Sequence, residues 1–164
     1  MSDDARQIIA KWIYKQTRNF NEVPETEIIY SKIVLLCANA DGEITPGERD
    51  WITGLAAAKG VSDSVIEELK NSQATDNLEE LLASAEMLSK YARRSIIYDA
   101  IATCSADAVY SEDEKAMVRK VASRMEISED VVKQIEAIYT EEKKLFEQKI
   151  KLLYPEGHPL LAAH

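Results

Sequence analysis

Two short acidic stretches carry the side chains best suited to chemistry. The first reads Ala40-Asp41-Gly42-Glu43-Ile44-Thr45-Pro46-Gly47-Glu48, the second Ala106-Asp107-Ala108-Val109-Tyr110-Ser111-Glu112-Asp113-Glu114. Carboxylates gathered around a glycine turn suit a hard cation, because glycine permits the sharp bend that lets several oxygens face one point. Asn39, Asp41, Gly42 and Glu48 stand at the third, fifth, sixth and twelfth places of an EF-hand loop. The spacing predicts a divalent-metal site for calcium or magnesium built from Asn39, Asp41, Glu43 and Glu48, with Asp107 and Glu114 as the second-loop counterparts. Cys37 occupies the place of the first carboxylate and Ala108 replaces the second-loop glycine. The expected affinity is therefore weak, on the order of 10⁻⁴–10⁻³ M, and weaker still in the second loop. Glu112 and Asp113 are expected to face a protein partner.

The same acids also fit a structural role. Thr45 followed by Glu48, and Ser111 followed by Glu114, are capping boxes, and Pro46 holds the favoured first helical position. On that reading the glutamates close helix starts, Asp41-Gly42 is a turn, and Ile44 and Tyr110 pin the loops to the core. Both readings stand at this point.

Other chemistry finds little support. The 164 residues carry a net charge of −9, which opposes contact with a phosphate backbone and argues against nucleic-acid binding. No GxSxG, HExxH, P-loop or Glu-x-x-His pair occurs, so the chain reads as a non-enzyme. His158 and His164 lie at the end of the chain, away from acids and thiols. Cys37 and Cys104 form no Cys-x-x-Cys pair and read as small, reduced core residues. An acidic start without an apolar run is unlike a signal peptide, and no stretch reaches membrane-spanning length. A cytoplasmic protein without direct membrane insertion is expected.

These loops need elements to hold them. Laid over each other without a gap, residues 40–69 and 106–135 are identical at Ala40/Ala106, Asp41/Asp107, Glu48/Glu114, Ala56/Ala122, Ser62/Ser128 and Val65/Val131. Apolar positions stay in register between them, as at Ile52/Val118 and Ile66/Val132, which indicates an internal duplication. Helical periodicity places a first helix after Ser2, a second from Pro24 or Glu25 to Cys37, and a third opened by Thr45 and closed by Gly60. Its core face should include Trp51, Ile52, Leu55 and Ala56. Further helices follow Ser62, run through Leu78–Leu88 and Tyr91–Cys104, and follow Ser111 and Ser128. The last extends to Tyr154. The expected fold is all-α, a single bundle of about seven to eight helices with internal pseudo-two-fold duplication. Its repeats span about 25–72 and 93–140, within one domain of residues 1–154 and before a flexible tail, 155–164.

Ala-Asp-Gly-Glu-Ile followed by Glu48 and an amphipathic helix, then Ala106-Asp107 through Ser111-Glu112-Asp113-Glu114-Lys115, resembles the TerB-like (tellurite-resistance) family. The wider superfamily includes the co-chaperone domain of DjlA-type proteins. The resemblance implies a helical, non-enzymatic module of a stress-response system with an acidic surface at the two loops. It also implies a divalent metal and a membrane-anchored partner, with Asp41, Glu43, Glu48, Asp107 and Glu114 at the motif positions. A different class of function is an interaction scaffold without a metal site, working through the C-terminal helix. There Ile138, Leu145 and Leu152 recur every seven residues beside Tyr139, Phe146 and Leu153, which makes a homodimer the expected assembly.

Overall fold

A computed structural model describes Ile8 and residues 25–84, 90–106 and 109–157. The helix expected after Ser2, the Ala85–Leu88 end of the fifth predicted helix, Asp107, Ala108 and both histidines lie outside the described residues. Among those described, seven helices and no strands are present, and the protein is all-α. They are α1 (Glu25–Ala38), α2 (Pro46–Ala58), α3 (Asp63–Asn71), α4 (Leu78–Ser84), α5 (Lys90–Cys104), α6 (Glu112–Arg124) and α7 (Glu129–Leu153).

The duplication is visible in the boundaries. The last residue of α5 follows that of α1 by 104 − 38 = 66 positions. Both ends of α6 follow those of α2 by 112 − 46 = 124 − 58 = 66, and α7 starts 129 − 63 = 66 residues after α3. The equivalent helices α1 and α5 pack against each other at the centre. Each half then lays its capped helix, α2 or α6, beside this pair.

The core follows from the helical stripe. Ile33, Val34 and Leu35 of α1 are buried with Ile96, Ile97 and Ile101 of α5, and Ile52 and Ala56 of α2 are matched by Val118 and Ala122 of α6. Each of the large side chains contributes roughly 1.5–3 kcal/mol by leaving water. One buried ion pair joins the halves: Lys59 Nζ lies 3.1 Å from Asp99 Oδ2, with Tyr30 also donating to that oxygen. The ammonium sits over the Tyr30 ring, 3.2 Å from its centroid.

Three local expectations are corrected. Trp51 is 46% exposed, because residue 52 rather than 51 points along the buried stripe of α2. Ser62 stands at the N-cap of α3, but its hydroxyl pairs with Ser64 Oγ at 3.0 Å instead of a backbone N–H. The last helix stops at Leu153, where Tyr154 leaves helical geometry one residue before Pro155. At 25 residues it is about 38 Å long. No described helix is long and apolar enough to cross a membrane.

Candidate functional site

The first loop leaves α1 through a tight turn in which Gly42 N–H donates to Asn39 O at 3.0 Å. Gly42 holds φ 92°, a left-handed geometry that favours glycine. Asp41 folds back, its Oδ1 accepting from Glu43 N at 3.2 Å, and Asn39 Nδ2 donates to Gln73 O at 3.2 Å. Ile44 then packs on the core.

Both loops end in complete capping boxes. Thr45 Oγ1 accepts from Glu48 N at 3.3 Å, while Glu48 Oε2 accepts from Thr45 N and Thr45 Oγ1, both at 2.8 Å. In the second box Ser111 Oγ accepts from Glu114 N at 3.2 Å and Glu114 Oε2 accepts from Ser111 N at 2.7 Å. Each box satisfies orphan N–H groups at its helix start, a device that contributes on the order of 1 kcal/mol.

What sets these boxes apart is their location. Glu48 is 3% and Glu114 1% exposed, two carboxyls inside the hydrophobic core. Glu48 is the first residue of the buried stripe that continues through Ile52 and Ala56, and Glu114 opens the matching stripe through Val118 and Ala122. The Glu114 side chain is near enough to act on the Glu48 carboxyl. Burial, followed by the Glu114 side chain, pushes the Glu48 carboxyl up to about 7, against the lowering effect of its bonds from Thr45. Two ionised carboxylates side by side in the core would have only acceptors to offer each other. Glu114 Oε1 is buried without a hydrogen-bond partner, and the Cys104 thiol lies beside the same carboxyl. The raised Glu48 carboxyl keeps its proton to a higher pH than an exposed glutamate would, which relieves the crowding of two acids in the core.

Two thiols sit close enough to feel this pair. Burial, then the Glu114 charge, pushes the Cys37 thiol up to about 12. Cys104 is also raised, first by burial, then by Cys37 and Glu114. Both remain free, buried thiols and not thiolates, as their reading as core residues requires.

The predicted ligands are therefore divided. Asp41 and Glu43 are exposed in the first loop, whereas Glu48 turns inward to its cap and to Glu114. Among the described residues, no three His, Cys, Asp or Glu side chains are grouped to hold a metal ion. A calcium ion takes six to eight oxygens. The first loop presents two carboxylates at its surface, Asp41 and Glu43, and the Asn39 carbonyl accepts from Gly42. Asp107 lies outside the described residues. Glu112 and Asp113 are exposed on the first turn of α6, and Lys115 Nζ pairs with Glu112 Oε1 at 2.6 Å.

A cleft of about 580 Å³ opens between α5, α6 and α7, lined by Tyr110, Lys115, Arg119, Glu136, Tyr139 and Lys143 among others. Its cations are already engaged. Arg119 reaches Glu129 at 2.9 Å and Glu136 at 3.1 Å, and Lys143 Nζ donates to Ser105 O at 3.3 Å. The cleft is laced by these ion pairs, and Tyr110 Oη donates to Glu136 Oε1 at 3.5 Å within it.

A sequence profile described as tellurite resistance protein TerB matches residues 34–137. A crystal structure of a tellurite resistance protein from Nostoc punctiforme PCC 73102 is similar to this chain, with a TM-score of 0.76 and 41% sequence identity. The similarity covers 97% of this chain and 99% of that one. Comparison with curated proteins gives no significant match.

Proposed function

This chain belongs to the TerB family of tellurite resistance proteins, and on that premise we propose that it is a non-enzymatic acidic module that docks a basic surface of a protein partner. The observation that supports this reading is the sorting of its acids. Glu48 and Glu114 are consumed inside the core, whereas Asp41, Glu43, Glu112 and Asp113 stay exposed on the loops and helix start beside them. Because the two capping glutamates meet, both loops belong to one end of the bundle, and their exposed carboxylates form a single negative field. A partner with clustered lysines or arginines, including one anchored in a membrane, complements that field. Glu112 is already paired with Lys115, so Asp41, Glu43 and Asp113 carry most of the attraction.

The same exposed carboxylates would take calcium or magnesium loosely, in competition with the partner. The test is an amide-shift titration with a lysine-rich peptide and, separately, with calcium. Shifts should localise to residues 39–48 and 109–114, weaken as salt shortens the screening length to about 8 Å, and fall in Asp41→Asn with Glu43→Gln. Salt-insensitive shifts centred elsewhere, or none at millimolar ligand, contradict the proposal.

A further inference from the structure

The first half of α7 completes the bundle, burying Val132 and packing Ile135 and Tyr139 toward it. The second half keeps an apolar face outside. Ile138 is 53%, Leu145 66%, Phe146 56%, Leu152 81% and Leu153 59% exposed. At 100° per residue, Ile138, Leu145 and Leu152 stack along one line and Phe146 and Leu153 along a second about 100° round, with Glu142 and Lys149 between the two. Five large side chains each keeping more than half their surface present roughly 600 Å² of apolar area, the upper limit for a patch on an ordinary monomer. Paired across a two-fold axis this becomes about 1,200 Å², where specific interfaces begin.

The charges on the same helix say what would cover it. Residues 129–142 hold five acids (Glu129, Asp130, Glu136, Glu141, Glu142) against Lys133 alone. Residues 143–153 hold four lysines (Lys143, Lys144, Lys149, Lys151) against Glu147 alone. A helix with an acidic first half and a basic second half is complementary to itself only when reversed. Turned antiparallel about a point between Leu145 and Phe146, residue i faces residue 291 − i. Leu145 then meets Phe146 of the second copy, Ile138 meets Leu153, Glu142 meets Lys149, and Lys144 meets Glu147. In these four pairs apolar residues meet apolar ones and opposite charges meet, while Glu141 falls opposite Ile150 and Lys151 opposite Thr140. A parallel pairing would set like charges side by side.

We propose that the outer face of α7 is a homodimer interface, in which the helix pairs antiparallel with α7 of a second copy around Leu145 and Phe146. The arrangement is isologous, as closed two-fold dimers are, with hydrophobic residues at its centre and charges setting orientation. It does not depend on the acidic-end reading above, since it uses another surface.

Sedimentation equilibrium of the full chain tests it with three variants. Wild type should sediment at twice the monomer mass, and Leu145→Glu at the monomer mass with its helical circular dichroism retained. Glu142→Lys and Lys149→Glu should each weaken self-association at least tenfold, because each brings two like-charge pairs together. Mixing these two variants should restore a dimer containing one copy of each, since both facing pairs then become attractive. That recovery also shows that neither variant failed by misfolding, a control that matters because Tyr98 donates to Glu142. A strict monomer at millimolar concentration overturns the proposal and leaves the face to a different protein. A dimer indifferent to Leu145→Glu, or charge variants that stay apart when mixed, overturns it as well.

Discussion

The two capped loops are built from one pattern and end up chemically different. Backbone geometry is nearly the same: Thr45 has φ −66° and ψ 159°, Ser111 φ −68° and ψ 162°, and each box closes both of its bonds. The first loop has Gly42, Pro46 and one acid in the first turn of its helix, whereas the second has three, Glu112, Asp113 and Glu114. Glu48 receives two hydrogen bonds from Thr45, and its carboxyl rises to about 7. Glu114 receives one from Ser111 and keeps an oxygen that needs a donor. A duplicated sequence that folds symmetrically must place equivalent residues face to face near its axis. When the residue is glutamate, two buried acids crowd each other, and the Glu48 carboxyl is pushed up by its burial and by Glu114.

Removing either glutamate should expose that inequality. Glu48→Ala strips a buried cap that receives two hydrogen bonds from Thr45, so it should cost about 3 kcal/mol. Glu114→Ala strips the matching cap, which receives one, and leaves Glu48 satisfied by Thr45, so about 2 kcal/mol is expected. Urea midpoints at pH 7 give the order, and equal losses would break the comparison. Glu48→Gln sharpens it, because an amide stands beside Glu114 without a titrating proton. In the wild type the folded state holds a proton that the unfolded chain releases near pH 4.5, so this contribution is full below that value. It is lost as pH rises through about 7. Stability should therefore fall between those limits in wild type, and that component of the slope should vanish in Glu48→Gln.

Smaller effects belong to the loops. Gly42→Ala should cost about 1 kcal/mol through backbone strain alone, since a Cβ there meets nothing within 4 Å. Asp41→Asn with Glu43→Gln should leave stability within about 0.5 kcal/mol of wild type, while weakening the response to a basic peptide. A large loss of stability in that double variant would place these acids in the structural framework and not on a docking surface.

Much of the fold was legible because its signals are local. Thr45, Pro46 and Ser111 mark helix starts within four residues, and Gly60, at φ 85°, marks an end. Trp51 misled because a large aromatic residue next to Ile52 fits a helical stripe as well as its neighbour does, and only packing decides between them. The site was half legible. Cap partners could be read from spacing, but the meeting of Glu48 with Glu114 depends on how two distant segments pack. A signal for it existed: Glu48, Ile52 and Ala56 share a helical face, as do Glu114, Val118 and Ala122, so the acids lay on the core side. The exposed face of α7 was visible as its seven-residue apolar repeat. What that face lacks inside the monomer could be seen only once the bundle was closed.

The central claim is that Glu48 keeps its proton inside the core well above the ordinary glutamate range. The most direct measurement is a carbon-detected NMR titration of the glutamate carboxyl resonances between pH 3 and 9, assigned through Glu48→Gln. One buried glutamate should titrate with a midpoint near 7, and that transition should disappear in Glu48→Gln and move toward the usual range in Glu114→Gln. If every glutamate titrates near 4.5 in the folded protein, burial does not hold the Glu48 proton and the account is wrong.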